Sequence, residues 1–426
     1  MSTITKLVAR EVLDSRGNPT VEAEVHTSSG AWGRAIAPAG ASTGSAEAFE
    51  LRDTSEARYD GRGVRQAVAN VVEKIAPAVK GYETLDQRGV DARLIELDGS
   101  RDKRNLGGNA LLAVSLANAH AAAATRRVPL YRHLHELFKQ HDSAAPPPRI
   151  PVPMVNMISG GLHAGGNLDF QDFLIQPVGA QDLAESLEWI VRVYQRLGTL
   201  LSAAGYEGRL VGDEGGYGPR LKSNLEAVEF LMRAIESAGL RPGRDVTIAI
   251  DVASTHFYDG RRYRLIATGD ARLTSDEMID VMADLVDKFP VKSIEDALAE
   301  DDWAGWQRLT VQLGQRVRLV GDDLFATDVE RIKQGIQLGA ANSVLIKLNQ
   351  IGTLTETLAA IHVARGAGYG CVVSARSGET EDTTMSDLAV ATAADLIKIG
   401  SIVRGERLAK YNRLLRIAED LSRPTA

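Results

Sequence analysis

The hydrophobic pattern of the chain changes character twice. Residues 4–10, 20–26 and 31–36 read as short strands, separated by the turn-forming runs Ser15-Arg16-Gly17-Asn18-Pro19 and Ser28-Ser29-Gly30. They predict a small antiparallel sheet. Helical spacing follows over residues 65–79, 92–97, 109–125 and 130–139, so strands followed by helices predict an α+β unit covering residues 1–140. Ala144-Ala145-Pro146-Pro147-Pro148 cannot be helical, and residues 141–150 read as a stiff connector.

From residue 151 to 426 the pattern becomes short apolar strands that each end in a polar residue and lead into a helix-like stretch. VTIAID ends at Asp251, VKSIED carries Glu295, VRLVGDD carries Asp322, NSVLIK ends at Lys347, GCVVSARS carries Arg376 and DLIKIGS carries Lys398. Repeats at intervals of roughly 25 to 45 residues predict a (β/α) barrel, which keeps its chemistry at the carboxyl ends of its strands. The fold class expected is therefore α/β, a capping domain followed by a barrel. No solenoid-type repeat is present.

Composition narrows the function more than the fold. With 44% hydrophobic and 25% charged residues the chain is ordinary globular protein, and its 426 residues suffice for a barrel plus a partner domain. A net charge of −7 gives no general attraction to nucleic acid. The single Cys371 cannot form an internal disulfide, residues 1–10 lack a secretory pattern, and the apolar run 111–125 is interrupted by Ser115, Asn118 and His120. A cytoplasmic enzyme with a buried helix over 111–125 and no membrane contact is expected.

The candidate chemistry sits at the strand ends. A lone strand-end acid is as often a cap or an ion-pair partner, but Asp251, Glu295 and Asp322 gathered at one barrel mouth would repel one another without a cation between them. Oxygen donors alone favour Mg²⁺, which keeps places for an anionic substrate. Lys347, Arg376 and Lys398 at the same mouth make an anion site, whereas elsewhere such side chains are usually solvated. A lysine crowded by cations loses proton affinity and becomes a base, and Arg376 with Ser377 offers a fork and a hydroxyl for phosphate. Glycine-rich loops at 40–43 (GAST, with Gly44 following), 160–166 around His163 and 212–216 around Glu214 suit a lid closing on the ligand, although glycine pairs are more often plain turns. None is a nucleotide-binding loop.

DSRGNPTVE, GASTG, GDEGG, SIED, GDDLF, IKLNQIGTLTET, RSGETEDT and AKYNRLLRI, taken together and in order, closely resemble enolase (phosphopyruvate hydratase) over nearly the whole chain. The resemblance implies a small cap, a barrel with an antiparallel start, and a homodimer or higher homo-oligomer. It implies that Asp251, Glu295 and Asp322 hold one Mg²⁺ and that Ser42 helps hold a second. Lys347 would remove the C2 proton of 2-phosphoglycerate, Lys398 would assist at the carboxylate, and Glu214 would protonate the departing 3-hydroxyl. His163, Arg376 and Ser377 would surround the phosphoryl group. Such sites use a lysine or histidine base with one or two Mg²⁺ ions.

The chain departs from that pattern on one side of the site. Ala375 stands where the family's SHRSGET has histidine, and Asp172, after Gln171, where its FQEF has glutamate. Ala39, Ala297 and Gly405 are smaller changes. Shortening glutamate by one methylene withdraws a carboxylate by about 1.5 Å, and about 1 Å of misplacement can cost about 10²-fold in rate. The metal acids, Lys347 and the phosphate group are kept, so the losses fall where the 3-hydroxyl is handled. Three readings follow: a specialised relative such as carboxyphosphonoenolpyruvate synthase of phosphonate pathways, acting on a phosphorylated or phosphonate acid; an ordinary phosphopyruvate hydratase; or a silent binding protein on the same fold.

Overall fold

The computed structural model describes residues 2–40, 44–267 and 269–423. The first sheet is a meander, β1 (Ile4–Leu13), β2 (Pro19–Thr27) and β3 (Trp32–Ile36), antiparallel throughout. Its inner face lies on the helix Gly108–Arg126, the buried helix expected over 111–125, whose alanines allow very close packing. A Cβ at Gly33 would stand 2.2 Å from the backbone nitrogen of Ala121. The helical run 65–79 forms with a shift in register, a π segment over Asn70–Ile75, directly before the helix that carries Pro77. Proline has no N–H to give the preceding turn, so a change of register there costs little.

The second part is a closed eight-stranded barrel. Its strands are β4 (Val152–Ser159), β5 (Asp172–Gln176), β6 (Thr247–Asp251), β9 (Val291–Glu295), β10 (Arg318–Gly321), β11 (Ser343–Ile346), β12 (Gly370–Ser374) and β13 (Leu396–Gly400); β7 (Tyr263–Leu265) and β8 (Ala271–Leu273) form a separate hairpin. Only β5 runs against its neighbours, pairing antiparallel with β4 and β6. Asp172 therefore begins a strand at the mouth where the other strands end. The outer helices start on side-chain caps from Asp182, Ser223, Thr274, Asp302, Asp328 and Thr353. No helix among the described residues is long and apolar enough to cross a membrane.

The barrel interior is arranged in layers. Met154, Leu174, Ala249, Val320, Leu345, Val372 and Leu396 form a buried plug, with Ser293 in the place of an apolar residue on β9. Side chains two positions apart on a strand share a face. Two residues nearer the mouth, the same faces carry Asn156, Asp172, Asp251, Glu295, Asp322, Lys347, Ser374 and Lys398. Alternation alone thus delivers a polar ring around one end of the barrel.

Candidate active site

Register sets the order within the ring. Asp172 lies opposite Asp251 on β5 and β6, and Asp251 opposite Glu295 on β6 and β9. Asp322 follows β10 and Lys347 follows β11. Two lysines pair with three of these acids. Lys398 Nζ donates to Asp251 at 2.6 Å and to Glu295 at 2.7 Å, and Lys347 Nζ donates to Asp322. Gln350 also donates to Asp322 at 2.8 Å while accepting from Thr327.

The donor set has the chemistry that a divalent cation takes. All donors are hard oxygens, and Glu295 Oε1 is buried with no hydrogen-bond partner among the described residues. Burial and the neighbouring Asp251 push the Glu295 carboxyl well above its ordinary range, so charge there calls for a counter-ion. Asp296, Asp322 and Asp323 on this side bring their ligand atoms within 4.8 Å of one another. Asp296, at φ 42°, accepts the backbone N–H groups of Asp322 and Asp323, each at 2.9 Å, and so fixes where Asp322 stands. Ser42 lies outside the described residues.

On the other side of the ring, His163 Nδ1 meets Asp172 Oδ2 at 3.0 Å, and Asn156 donates to Asp172 Oδ1 at 2.5 Å. Burial alone would lower the imidazole, but Asp172 and Glu214 reverse this and raise it to about 9. Burial lifts Asp172 to about 6 against the pull of His163, so near neutral pH the two form a buried ion pair. Glu214 Oε2 is buried and unpartnered among the described residues. Burial would raise Glu214, but His163, Arg407, Lys398 and Lys347 outweigh it and hold the group as a carboxylate.

Arg376 is engaged from the first domain. Its Nη1 donates to Glu47 Oε2 and to Asn349 Oδ1, both at 2.8 Å, and Nη2 lies 3.3 Å from Glu47 Oε1. Ser377 Oγ accepts from Arg16 at 3.3 Å. Arg407, fully buried, donates to the carbonyls of Arg376, Ile399 and Ser377. The methyl of Ala375 and the amide of Gln171 complete a cavity shared with His163, Glu214, Asp251, Lys347, Arg376 and Lys398. At about 20 Å³ it has room for little more than a water, so an incoming anion must separate some of these ion pairs.

The structure thus brings together His163, Gln171, Asp172, Glu214, Asp251, Glu295, Asp322, Lys347, Ala375, Arg376, Ser377 and Lys398. Sequence reasoning missed Asn156, Glu47 and Arg407. Asn156 is two residues beyond Met154 on β4 and was readable from alternation; Glu47 and Arg407 carry no local signal. Residues 4–134 match the family model described as enolase, N-terminal domain, and residues 148–426 match enolase, C-terminal TIM barrel domain.

Proposed function

The chain belongs to the enolase family, whose two domain models cover nearly all of it, and from that premise we propose an Mg²⁺-dependent enzyme that removes the C2 proton of 2-phosphoglycerate or a related phospho- or phosphono-acid. Asp251, Glu295 and Asp322 would hold the ion, and Ser42 would help hold a second. Bound by the three acids, the ion supplies positive charge against the substrate carboxylate and the charge that develops on it.

Lys347 serves as the base. Burial would lower its proton affinity but Asp322 more than restores it, so Lys347 paired with Asp322 is an ammonium. Once a cation engages both Asp322 and Glu295, the two carboxylates that raise Lys347, burial together with Arg376 and Lys398 would lower its affinity for its proton. Arg376 and Ser377 bind the phosphoryl or phosphonyl group. Glu214 must gain a proton before it can donate one, and an anion arriving beside it raises its proton affinity.

One observation carries the finer reading. Asp172 is withdrawn into bonds with His163 and Asn156, and position 375 presents only a methyl, while the groups for proton abstraction are intact. This favours an enzyme that keeps the enolate-forming half-reaction and has weakened the dehydration half, a lyase relative diverged toward a synthase of the carboxyphosphonoenolpyruvate type. Retention of Glu214 supports ordinary phosphopyruvate hydratase as the second reading. A silent binding protein would not be expected to keep acids, base and anion group together.

The test is an NMR time course with Mg²⁺ and 2-phosphoglycerate in D₂O. Exchange at C2 with little phosphoenolpyruvate supports the diverged reading. Rapid dehydration, unchanged by Ala375→His with Asp172→Glu, supports the hydratase. Absence of both exchange and Mg²⁺-dependent thermal stabilisation overturns proton abstraction. If Mg²⁺ binds at about 100 times its Kd, about 2.7 kcal/mol of stabilisation is expected, and Glu295→Gln should abolish most of it.

A further inference from the structure

A large cavity lies at the end of the barrel opposite the polar ring. It is an open bowl of about 620 Å³ whose ionisable lining is Lys292, Arg316, Arg318, Arg365 and Tyr369, with Asp395 as its one carboxylate. Alternation explains why it is polar. Arg318, Ser343 and Gly370 stand two residues before Val320, Leu345 and Val372 of the plug, so they face the barrel axis at its amino-terminal end. Arg318 Nη1 donates to Ser343 Oγ at 3.2 Å and to Asp395 Oδ2 at 3.3 Å. Gly370 makes room for that guanidinium, because a Cβ there would stand 1.7 Å from the same nitrogen.

The positive charge in the bowl exceeds what its acids balance. Asp395 is shared between Arg318 and Arg149, the latter at 3.0 Å, and also accepts the Cys371 N–H. Arg365 spends Nη1 on the carbonyls of Thr392 and Ala393 and has no acidic partner among the described residues. Lys292 has neither an ion pair nor a hydrogen bond among them, and Arg316 has only the exposed Asp287 at 2.5 Å. This concentration of cations opposes the net charge of −7 carried by the whole chain.

We propose that the bowl is a second anion-binding site, for a small ligand carrying a phosphoryl or pyrophosphoryl group. Planar guanidinium forks suit such oxyanions in two-point contact, and the volume falls in the range of about 300–1,000 Å³ common for small-molecule sites. A barrel keeps its reaction at the other mouth. The bowl therefore binds a ligand without transforming it, and its existence does not depend on the reaction at the polar ring.

Calorimetric titration of the full-length, metal-free protein with inorganic pyrophosphate tests this, at physiological ionic strength where diffuse attraction is screened. An Arg376→Lys background weakens binding at the catalytic end. Lys292→Glu with Arg316→Glu changes exposed side chains, and an unchanged melting curve confirms folding. The expected result is binding that persists in the Arg376→Lys background and weakens at least tenfold on adding the two charge reversals. Equal affinity with and without them overturns the proposal, as does loss of binding in the Arg376→Lys background alone. Binding of a polyglutamate peptide without binding of pyrophosphate also overturns it and assigns the bowl to an acidic protein segment.

Discussion

Arg376 meets Glu47 through both terminal nitrogens, so the fork that should greet a phosphoryl group already holds a carboxylate from the other domain. Glu47 thus competes with the ligand as well as placing the arginine. Glu47→Gln keeps the shape but removes the charge, and is expected to tighten inorganic phosphate binding by about three- to tenfold, on the order of 1 kcal/mol, while lowering the melting temperature. Weaker phosphate binding in a titration would mean that alignment of the fork outweighs competition. The His163–Asp172 pair makes a separate prediction. Folded His163 holds its proton to about pH 9, whereas an unfolded histidine releases it near 6.5, so its contribution to stability is complete below about pH 6.5 and is lost as pH rises to about 9. Unfolding free energies from urea titrations at the two pH values should differ by roughly 1–3 kcal/mol in the wild type and by much less in His163→Asn. Much of this site was legible because strand-end acids and lysines stand out against apolar runs; Glu47 was not, since its partner lies 329 residues away.

At the scale of elements, the sequence was most readable where one pattern governed alone. β1 to β3 and the helices Gly108–Arg126 and Leu130–Lys139 lie close to where turn residues and apolar spacing place them. β4 and β5 escaped for a physical reason. β4 follows the proline-rich connector and carries Asn156 inside an apolar run, and β5, being reversed, begins with its acid, so neither shows an apolar strand closing on a charged residue. The π segment before Pro77 likewise leaves no periodicity signal of its own. The close seat of β3 on the alanine-rich helix yields the prediction at this scale. Gly33→Ala forces a methyl against the backbone at Ala121, and overpacking of this kind costs about 1–3 kcal/mol. Urea unfolding should show that loss. An unchanged midpoint would mean that the sheet can lift from the helix freely.

Across the whole molecule, the segment bearing Arg376 and Ser377 is clamped from two sides. The first domain holds one side: Ala39 and Gly378 exchange backbone hydrogen bonds at 2.8 and 2.9 Å, and the Ser15 N–H donates to the Glu379 carbonyl at 2.7 Å. The final helix, Gly405–Ser422, holds the other through Arg407 and through Lys410, which pairs with Glu379 at 2.7 Å. The proposed anion site is therefore a property of both domains, although its residues lie on the barrel. Gly378 is where this can be tested with one atom, because a Cβ there would stand 2.7 Å from the Ala39 carbonyl, Arg16 Nη2 and Asp14 Oδ2 at once. Gly378→Ala should push the domains apart along this seam while leaving the Arg407 side intact. Since about 1 Å of displacement at a reacting centre can cost about 10²-fold, phosphate affinity and C2 exchange should both fall at least tenfold, roughly, in the folded variant. Pyrophosphate binding at the opposite end of the barrel should not change, because the plug layer separates the two ends. A variant that lost both would show instead that the seam supports the barrel as a whole.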